Sequence, residues 1–171
     1  MKLHVASATV ALAVGLTLSA AHAETSTLVR AGSWEAFGGT TNTGRPVCGV
    51  SRDVESKYFG LKLYSGDATF TIQVGAKDWK ITDGAKFNVV LTFDTRSPWN
   101  GPSTGMHFSD GDAGLEFTIK KDQIDLFMTE FRGSNQLRVQ FQNATLADWT
   151  LGLSGSNAVS EAFLKCNRGL K

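Results

Sequence analysis

Apolar and polar side chains alternate with a period of two along much of this chain. The alternation is clearest in residues 59–63, 70–74, 87–93, 115–119 and 137–141. In a β-strand successive side chains point to opposite faces, so this period is typical of strands with one face in a core and one in water. Short runs rich in Gly, Ser, Asp and Asn separate these stretches and predict tight turns. Because few helical stretches are available as crossovers, we predict a mainly β fold, an antiparallel β-sandwich or barrel-like domain with two short helices.

Two segments have the spacing of amphipathic helices instead. The apolar residues of the first are Ile124, Phe127, Met128 and Phe131. Their i, i+3, i+4, i+7 spacing predicts a helix over residues 122–131, with Asp122 as its N-cap. A second helix is predicted over residues 157–165, with Asn157 as its cap. The segment before the first strand pattern, Glu24–Ala31, is expected to form a loose arm.

The strand pattern also predicts which side chains form the core. The apolar residues expected to be most buried are Phe70, Ile72, Val89, Leu91, Phe117 and Val139. Trp34, Trp79 and Trp149 lie in strand-like contexts and are assigned to core packing. Thr71 and Gln73 alternate with predicted core residues, so we expect both to face solvent.

Residues 1–23 have the pattern of a secretory signal. A basic start precedes an apolar stretch that is too short to span a bilayer comfortably, and Ala21 and Ala23 give the small-x-small form that a signal peptidase accepts. We therefore expect a periplasmic or secreted protein in which residues 24–171 form a single β-rich domain with no transmembrane span. An uncleaved anchor helix is the alternative for residues 1–23.

The chain contains two cysteines, Cys48 and Cys166. Two cysteines cannot form a Cys-rich zinc site, and their spacing is not that of a CxxC redox motif. In an oxidising compartment we predict a disulfide between them, which would attach the second helix to the strand around Cys48. Two buried free thiols are the alternative.

Charge and histidine content bear on function. The 17 basic and 16 acidic side chains nearly balance, and loss of Lys2 with the signal would leave the remainder formally neutral. Nucleic-acid binding needs a basic excess, so no nucleic-acid partner is expected. His107 is the single histidine after residue 23, and no G-x-S-x-G motif is present. We therefore predict a non-enzymatic protein without a cofactor, while paired carboxylates keep a carboxylate- or metal-dependent glycan hydrolase as an alternative.

One stretch has the spacing of a cation site. Asp110, Asp112 and Glu116 place oxygen ligands at alternating positions around glycines, which suits calcium. Asp110-Gly111 is equally typical of a hairpin turn, and Glu116 fits the outward face of a strand. The sequence leaves calcium binding open at this position.

Trp99 differs from the other tryptophans in its surroundings. It lies between Pro98 and Pro102 in a stretch without a strand pattern. Prolines restrict the backbone, so the indole could be presented at a loop tip, with Arg96 and Asn100 beside it. We predict that Trp99, Arg96 and Asn100 form a binding site. The alternative is a loop folded back so that the indole covers one end of the core.

The two ends of the mature chain carry a family resemblance. Residues 32–34 and 46–48, followed near the end by residues 149–155, Phe163 and Cys166, resemble the invasion-associated locus B family of exported alphaproteobacterial proteins. The resemblance implies a periplasmic or surface β-sandwich of a Gram-negative bacterium, with a role in envelope or host-cell interaction and no catalytic residues to transfer. We therefore expect a binding or envelope-associated protein whose partner is a protein or an envelope glycan. A periplasmic inhibitor of a hydrolase such as lysozyme is the alternative within binding proteins.

Overall fold

Ten strands and two helices make up the part of the chain that the computed structural model describes, residues 24–142 and 145–170. The predicted signal, residues 1–23, lies outside the described residues. The strands are β1 (Glu24–Ala31), β2 (Trp34–Thr40), β3 (Pro46–Val54), β4 (Lys57–Tyr64), β5 (Thr69–Ala76), β6 (Lys86–Phe93), β7 (Trp99–His107), β8 (Ala113–Lys120), β9 (Gln136–Gln142) and β10 (Trp149–Gly152). The helices are α1 (Ile124–Arg132) and α2 (Ser156–Gly169). Neither of these helices is long and apolar enough to cross a membrane.

All ten strands belong to one antiparallel sheet. Its strand order is β1-β2-β3-β4-β5-β8-β7-β6-β9-β10, and every neighbouring pair is antiparallel. The mainly β, antiparallel prediction with two helices is therefore confirmed. The sheet is open, because β1 and β10 are its two edges and do not pair with each other within the described residues.

The sheet curves around α1, which lies in the core. The Phe131 ring is 4.8 Å from that of Trp34 on β2. The Phe127 ring is 5.4 Å from Phe70 on β5 and 5.2 Å from Phe93 on β6, each edge to face. Side chains from strands far apart in the sheet reach one short helix because the sheet bends towards it. The predicted helical face is confirmed, since its four apolar residues are all buried.

Both helices begin differently from the prediction. A 3-10 turn that includes Asp122 precedes α1, and Gln123 is the N-cap residue, so Asp122 does not cap the helix. The second helix begins one residue earlier than predicted, directly after Gly155, and Asn157 lies inside it. Gly155 has φ +95°, and a side chain there would collide with the Ala31 carbonyl. The close approach of β1 thus fixes where α2 begins, and no side-chain cap is used.

The second helix packs against β1, β2 and β3, on one side of the gap between the two edges of the sheet. Cys166 on α2 forms a disulfide with Cys48 on β3, with a Cα–Cα distance of 6.0 Å, which confirms the predicted bridge. Across the gap, Trp34 Nε1 and Arg52 Nη1 both donate to the carbonyl oxygen of Gly152 on β10, at 3.1 and 3.0 Å. The early strands are therefore joined to the end of the chain by one covalent bond and two hydrogen bonds.

The segment Glu24–Ala31 is an ordered edge strand, so the prediction of a loose arm is wrong. It pairs with β2 along its whole length, with a bulge between Thr27 and Val29. Most of its side chains are exposed, and only Val29 and Ala31 are partly buried against the core. Because these side chains are exposed, the segment lacks the alternation of apolar and polar residues from which the other strands were predicted.

The predicted core residues are buried. Phe70, Ile72, Val89, Leu91 and Val139 are fully buried and Phe117 is 3% exposed. Trp34 and Trp149 are also buried, in β2 and β10. Trp79, by contrast, lies in the loop after β5, where its partly buried ring is 5.1 Å from the ring of Phe141.

Candidate functional site

The candidate site is the outer face, which we define as the side of β2–β5 and β8 that points away from α1. Four aromatic side chains lie on it, all partly exposed: Phe37, Tyr58, Tyr64 and Phe108. In a two-layer arrangement of this kind the side away from the core is expected to carry polar side chains. The rings on this face therefore call for an explanation.

Glycines in the sheet allow these rings to lie flat on the backbone. A methyl group on Gly49 would collide with the Phe37 ring, and one on Gly60 would collide with the Tyr58 ring. Phe37, Gly49 and Lys62 are in register across β2, β3 and β4, so the Phe37 ring lies over Gly49 and next to the position of Lys62. The outer face is thus a shallow surface of backbone bordered by fixed aromatic rings.

A polar cluster occupies the centre of the outer face. Gln73 points outward as predicted, yet it is only 6% exposed, so the expectation that it meets solvent is wrong. Its Nε2 donates to Glu116 Oε2 at 2.7 Å, and its buried Oε1 has no hydrogen-bond partner among the described residues. This hydrogen bond holds the Glu116 carboxylate on the β5–β8 side of the face.

Burial shifts the pKa values of three groups here. Burial lowers the pKa of Lys62, and attraction to Glu116 partly opposes this. Burial raises the pKa of Tyr58 to about 12, with smaller contributions from Tyr64 and Asp53. Burial also raises the pKa of Tyr64. At neutral pH both tyrosines are therefore hydroxyl donors, whereas burial disfavours the charged form of the lysine.

Two adjoining depressions open on the outer face. One has a volume of about 360 Å³ and is bordered by Phe37, Ser51, Tyr58, Lys62 and Tyr64 among others. The second, of about 260 Å³, is bordered by Tyr58, Lys62 and Phe108 among others, and it also includes Asp53, Asp110 and Asp112. Tyr58 and Lys62 belong to both, so one continuous surface runs across them. Sequence reasoning missed this site because its residues come from five strands and the turn after β7, and they meet only through the register of the sheet.

Trp99 begins strand β7, so the prediction of a loop without strand structure is wrong. Its indole Nε1 donates to Glu130 Oε2 on α1 at 2.6 Å, and its ring is 5.2 Å from that of Phe127, edge to face. These are the contacts that a side chain covering the end of the core would make. Pro102 is tolerated in β7 because this strand pairs with β8 only over residues 104–107, which leaves the proline with one neighbouring strand.

Arg96 and Asn100, the other two predicted binding residues, lie in different surroundings. Arg96 is exposed and its Nε donates to Ser134 Oγ at 3.3 Å. Asn100 is exposed and borders, with Trp99 and Thr118, a shallow depression of about 370 Å³. The structure thus brings Trp99 and Asn100 together and places Arg96 apart from that depression. Binding at these residues stays a prediction.

The remaining polar candidates have local partners. Asp110 Oδ1 accepts a hydrogen bond from the Asp112 backbone N–H at 3.1 Å, as in a turn, whereas Glu116 is held by the Gln73 amide on the sheet. Within residues 24–142 and 145–170 no three His, Cys, Asp or Glu side chains are grouped to hold a metal ion. His107 lies exposed at the end of β7, with Nδ1 2.7 Å from Asp83 Oδ1.

The fold is similar to that of a protein of known structure. The chain matches no protein-family model and no curated protein. It is similar to the crystal structure of invasion associated protein B from Bartonella henselae, with 13% sequence identity and a TM-score of 0.53, over 82% of this chain and 97% of that chain. At this identity the likeness shows a shared fold. The resemblance noted in the sequence is therefore supported at the level of the fold.

Proposed function

We propose that this protein is an exported, non-enzymatic binding protein of the bacterial envelope, periplasmic or secreted, and that it engages its partner through the outer face. The observation that carries the proposal is the row of aromatic rings fixed on glycines around Lys62. Aromatic side chains with few rotatable bonds offer a large contact area at a small loss of conformational entropy. Because the side chains of α1 fill the core, we assign recognition to the outer face.

Two further observations support the location. The disulfide between Cys48 and Cys166 belongs to a class of bond that persists in oxidising compartments. The Bartonella henselae protein with a similar fold is named for invasion, which supports an envelope or host-cell role for this chain. The non-enzymatic part of the proposal rests on the sequence, in which His107 is the single histidine after residue 23.

Export is tested by expressing the full chain in a Gram-negative host and measuring the intact mass of the protein released by osmotic shock. We expect a chain that begins at Glu24 and is two hydrogens lighter than its reduced form. A protein that keeps residues 1–23 and carries free thiols at Cys48 and Cys166 would contradict export.

Partner binding is tested by photo-crosslinking from the outer face in the same cells. A photoreactive residue replaces Thr71, which lies in register with Lys62, or, as the control, Leu126, which is exposed on α1. We expect a discrete covalent adduct from position 71 and none from position 126. Adducts of the same mass and yield from both positions, or none from either, would refute a binding role for the outer face.

A further inference from the structure

We propose that Met106 is a methionine oxidation site and that the oxygen of its sulfoxide accepts a hydrogen bond from the side-chain amide of Gln73. The oxidant is a peroxide such as hydrogen peroxide. This inference goes beyond the proposed function, because it does not depend on any partner of the outer face. It assigns a chemical modification to β7, at the border of that face.

The first argument is that Met106 is more accessible than the other sulfur-containing side chains. It is partly exposed on β7, whereas Met128 on α1 is 1% exposed. Residues 24–171 contain no further methionine, and the two cysteines are already joined in the disulfide. A peroxide has to contact the sulfur that it oxidises, so Met106 is the reduced sulfur that it reaches first.

The second argument is the contact between the Met106 sulfur and the Gln73 amide. Gln73 Nε2 lies 3.5 Å from Met106 Sδ and 2.7 Å from Glu116 Oε2. An amide nitrogen carries two hydrogens, so one is donated to the carboxylate and the other is directed at the sulfur. A thioether is a weak acceptor, whereas a sulfoxide is polar. Oxidation would therefore replace a weak contact by a hydrogen bond of about 2.9 Å.

The third argument is the fixed orientation of the Gln73 amide. Gln73 is 6% exposed, and its buried Oε1 has no hydrogen-bond partner among the described residues. Turning the amide over would place Oε1 against the Glu116 carboxylate, and two acceptors repel each other. The amide hydrogens therefore stay directed at Glu116 and Met106. A polar oxygen added at the sulfur has a donor waiting, so its formation does not leave a polar group without a partner.

The reaction is a two-electron oxidation of the thioether. A lone pair of Sδ attacks one oxygen of hydrogen peroxide, the O–O bond breaks and the S–O bond of the sulfoxide forms. The proton of the attacked oxygen passes to the departing hydroxide, which leaves as water. Sulfur is oxidised and the peroxide is reduced, and methionine sulfoxide reductases reverse the change.

The position of Met106 places the new oxygen beside an aromatic ring of the outer face. Met106 is in register with Gly114 on β8, and a methyl group on Gly114 would collide with the Phe108 ring. The ring therefore lies over Gly114, next to the position of Met106. Oxidation converts an apolar side chain into a polar one at this place, so it changes the chemistry of the surface while the fold is kept.

The test treats the disulfide-bonded protein of residues 24–171 with hydrogen peroxide and follows each methionine by peptide mass spectrometry. We expect Met106 to gain one oxygen at least about tenfold faster than Met128, because Met128 is buried. In urea, where both are exposed, the two rates should be similar. Treatment with methionine sulfoxide reductases should remove the added oxygen.

The hydrogen bond is tested by NMR of the wild type. The side-chain amide signals of Gln73 should shift when Met106 is oxidised, because one of its hydrogens gains a stronger acceptor. The side-chain amide signals of Gln142, on β9, should stay in place.

Two variants provide a thermodynamic check. Peroxide treatment should change the melting temperature of the wild type by less than about 2 °C, and that of Gln73→Leu should fall by at least about 4 °C, since its sulfoxide lacks the amide donor. Met106→Leu has no sulfur at this position and should keep its melting temperature under the same treatment.

Three results would overturn the inference. The first is equal rates of oxidation at Met106 and Met128 in the folded protein. The second is unchanged Gln73 side-chain signals after complete oxidation of Met106. The third is an equal fall in melting temperature for the wild type and Gln73→Leu.

Discussion

Replacing Trp99 by alanine removes the indole that covers the end of the core. The substitution takes away the edge-to-face contact with Phe127, at 5.2 Å between ring centres, and the donor of the 2.6 Å hydrogen bond to Glu130. Loss of a buried aromatic side chain costs about 3–5 kcal/mol, and because Trp99 is only partly buried we expect the lower end, about 3 kcal/mol. For a domain of this size that corresponds to a fall in melting temperature of roughly 6–12 °C.

Urea or thermal unfolding of the oxidised protein, followed by circular dichroism, measures this change. Trp99→Phe keeps a ring against Phe127 but loses the donor to Glu130, so it should cost about 1–1.5 kcal/mol. Asn100→Ala, at the exposed next position, should change the free energy of unfolding by less than about 0.5 kcal/mol. If Trp99→Ala were as stable as Asn100→Ala, the indole would not cover the core and its role as a binding residue would regain support.

Three further predictions concern stability. Cys166→Ser opens a loop with a sequence separation of 118 residues and should lower the free energy of unfolding by about 2–5 kcal/mol in urea titrations; an unchanged midpoint would mean that the bond to Cys48 adds nothing. Tyr58 has a pKa raised from 10.0 to about 12, so the folded state keeps a proton that the unfolded state loses, and stability should fall by roughly 2–3 kcal/mol between pH 10 and 12. The free energy of unfolding of Tyr58→Phe should fall less over that pH range. An equal fall in the wild type and the variant would contradict the raised pKa of Tyr58. Ile72→Asn should lower the free energy of unfolding by more than about 3 kcal/mol because Ile72 is fully buried. Thr71→Asn, one residue away on the other face, should lower it by less than about 0.5 kcal/mol in the same denaturation assay. Similar losses for the two variants would contradict the assigned faces.

The sequence predicted those elements whose side chains have one consistent environment. Ile72 and Leu91 lie on strands that meet the core on one face, so alternation revealed them. Phe127 and Phe131 lie on a helix with one buried side, and its spacing was equally clear. By contrast most side chains of β1 are exposed, and β7 carries glycine and proline at the positions where alternation would show, so neither strand was recognised.

The outer face could not be predicted because it depends on contacts between distant residues. Gln73 alternates with core residues, and only the pairing of β5 with β8 places it against Glu116. In the same way, the register of β2, β3 and β4 brings Phe37 to Gly49 and Lys62. A single sequence shows which side chains leave the core, but it does not show which of them cover one another on the other side of the sheet.

The position of the disulfide determines the order of events when the protein is made. Cys48 is synthesised 118 residues before Cys166, so its thiol stays unpaired until the sequence of α2 has been added. Because the chain has two cysteines, no wrong pairing within one molecule can form, and the bond needs an oxidant but no isomerase. The competing reaction is between two nascent chains, which would join through Cys48. A Cys48-linked dimer would therefore mark molecules in which oxidation preceded the docking of α2 onto the sheet.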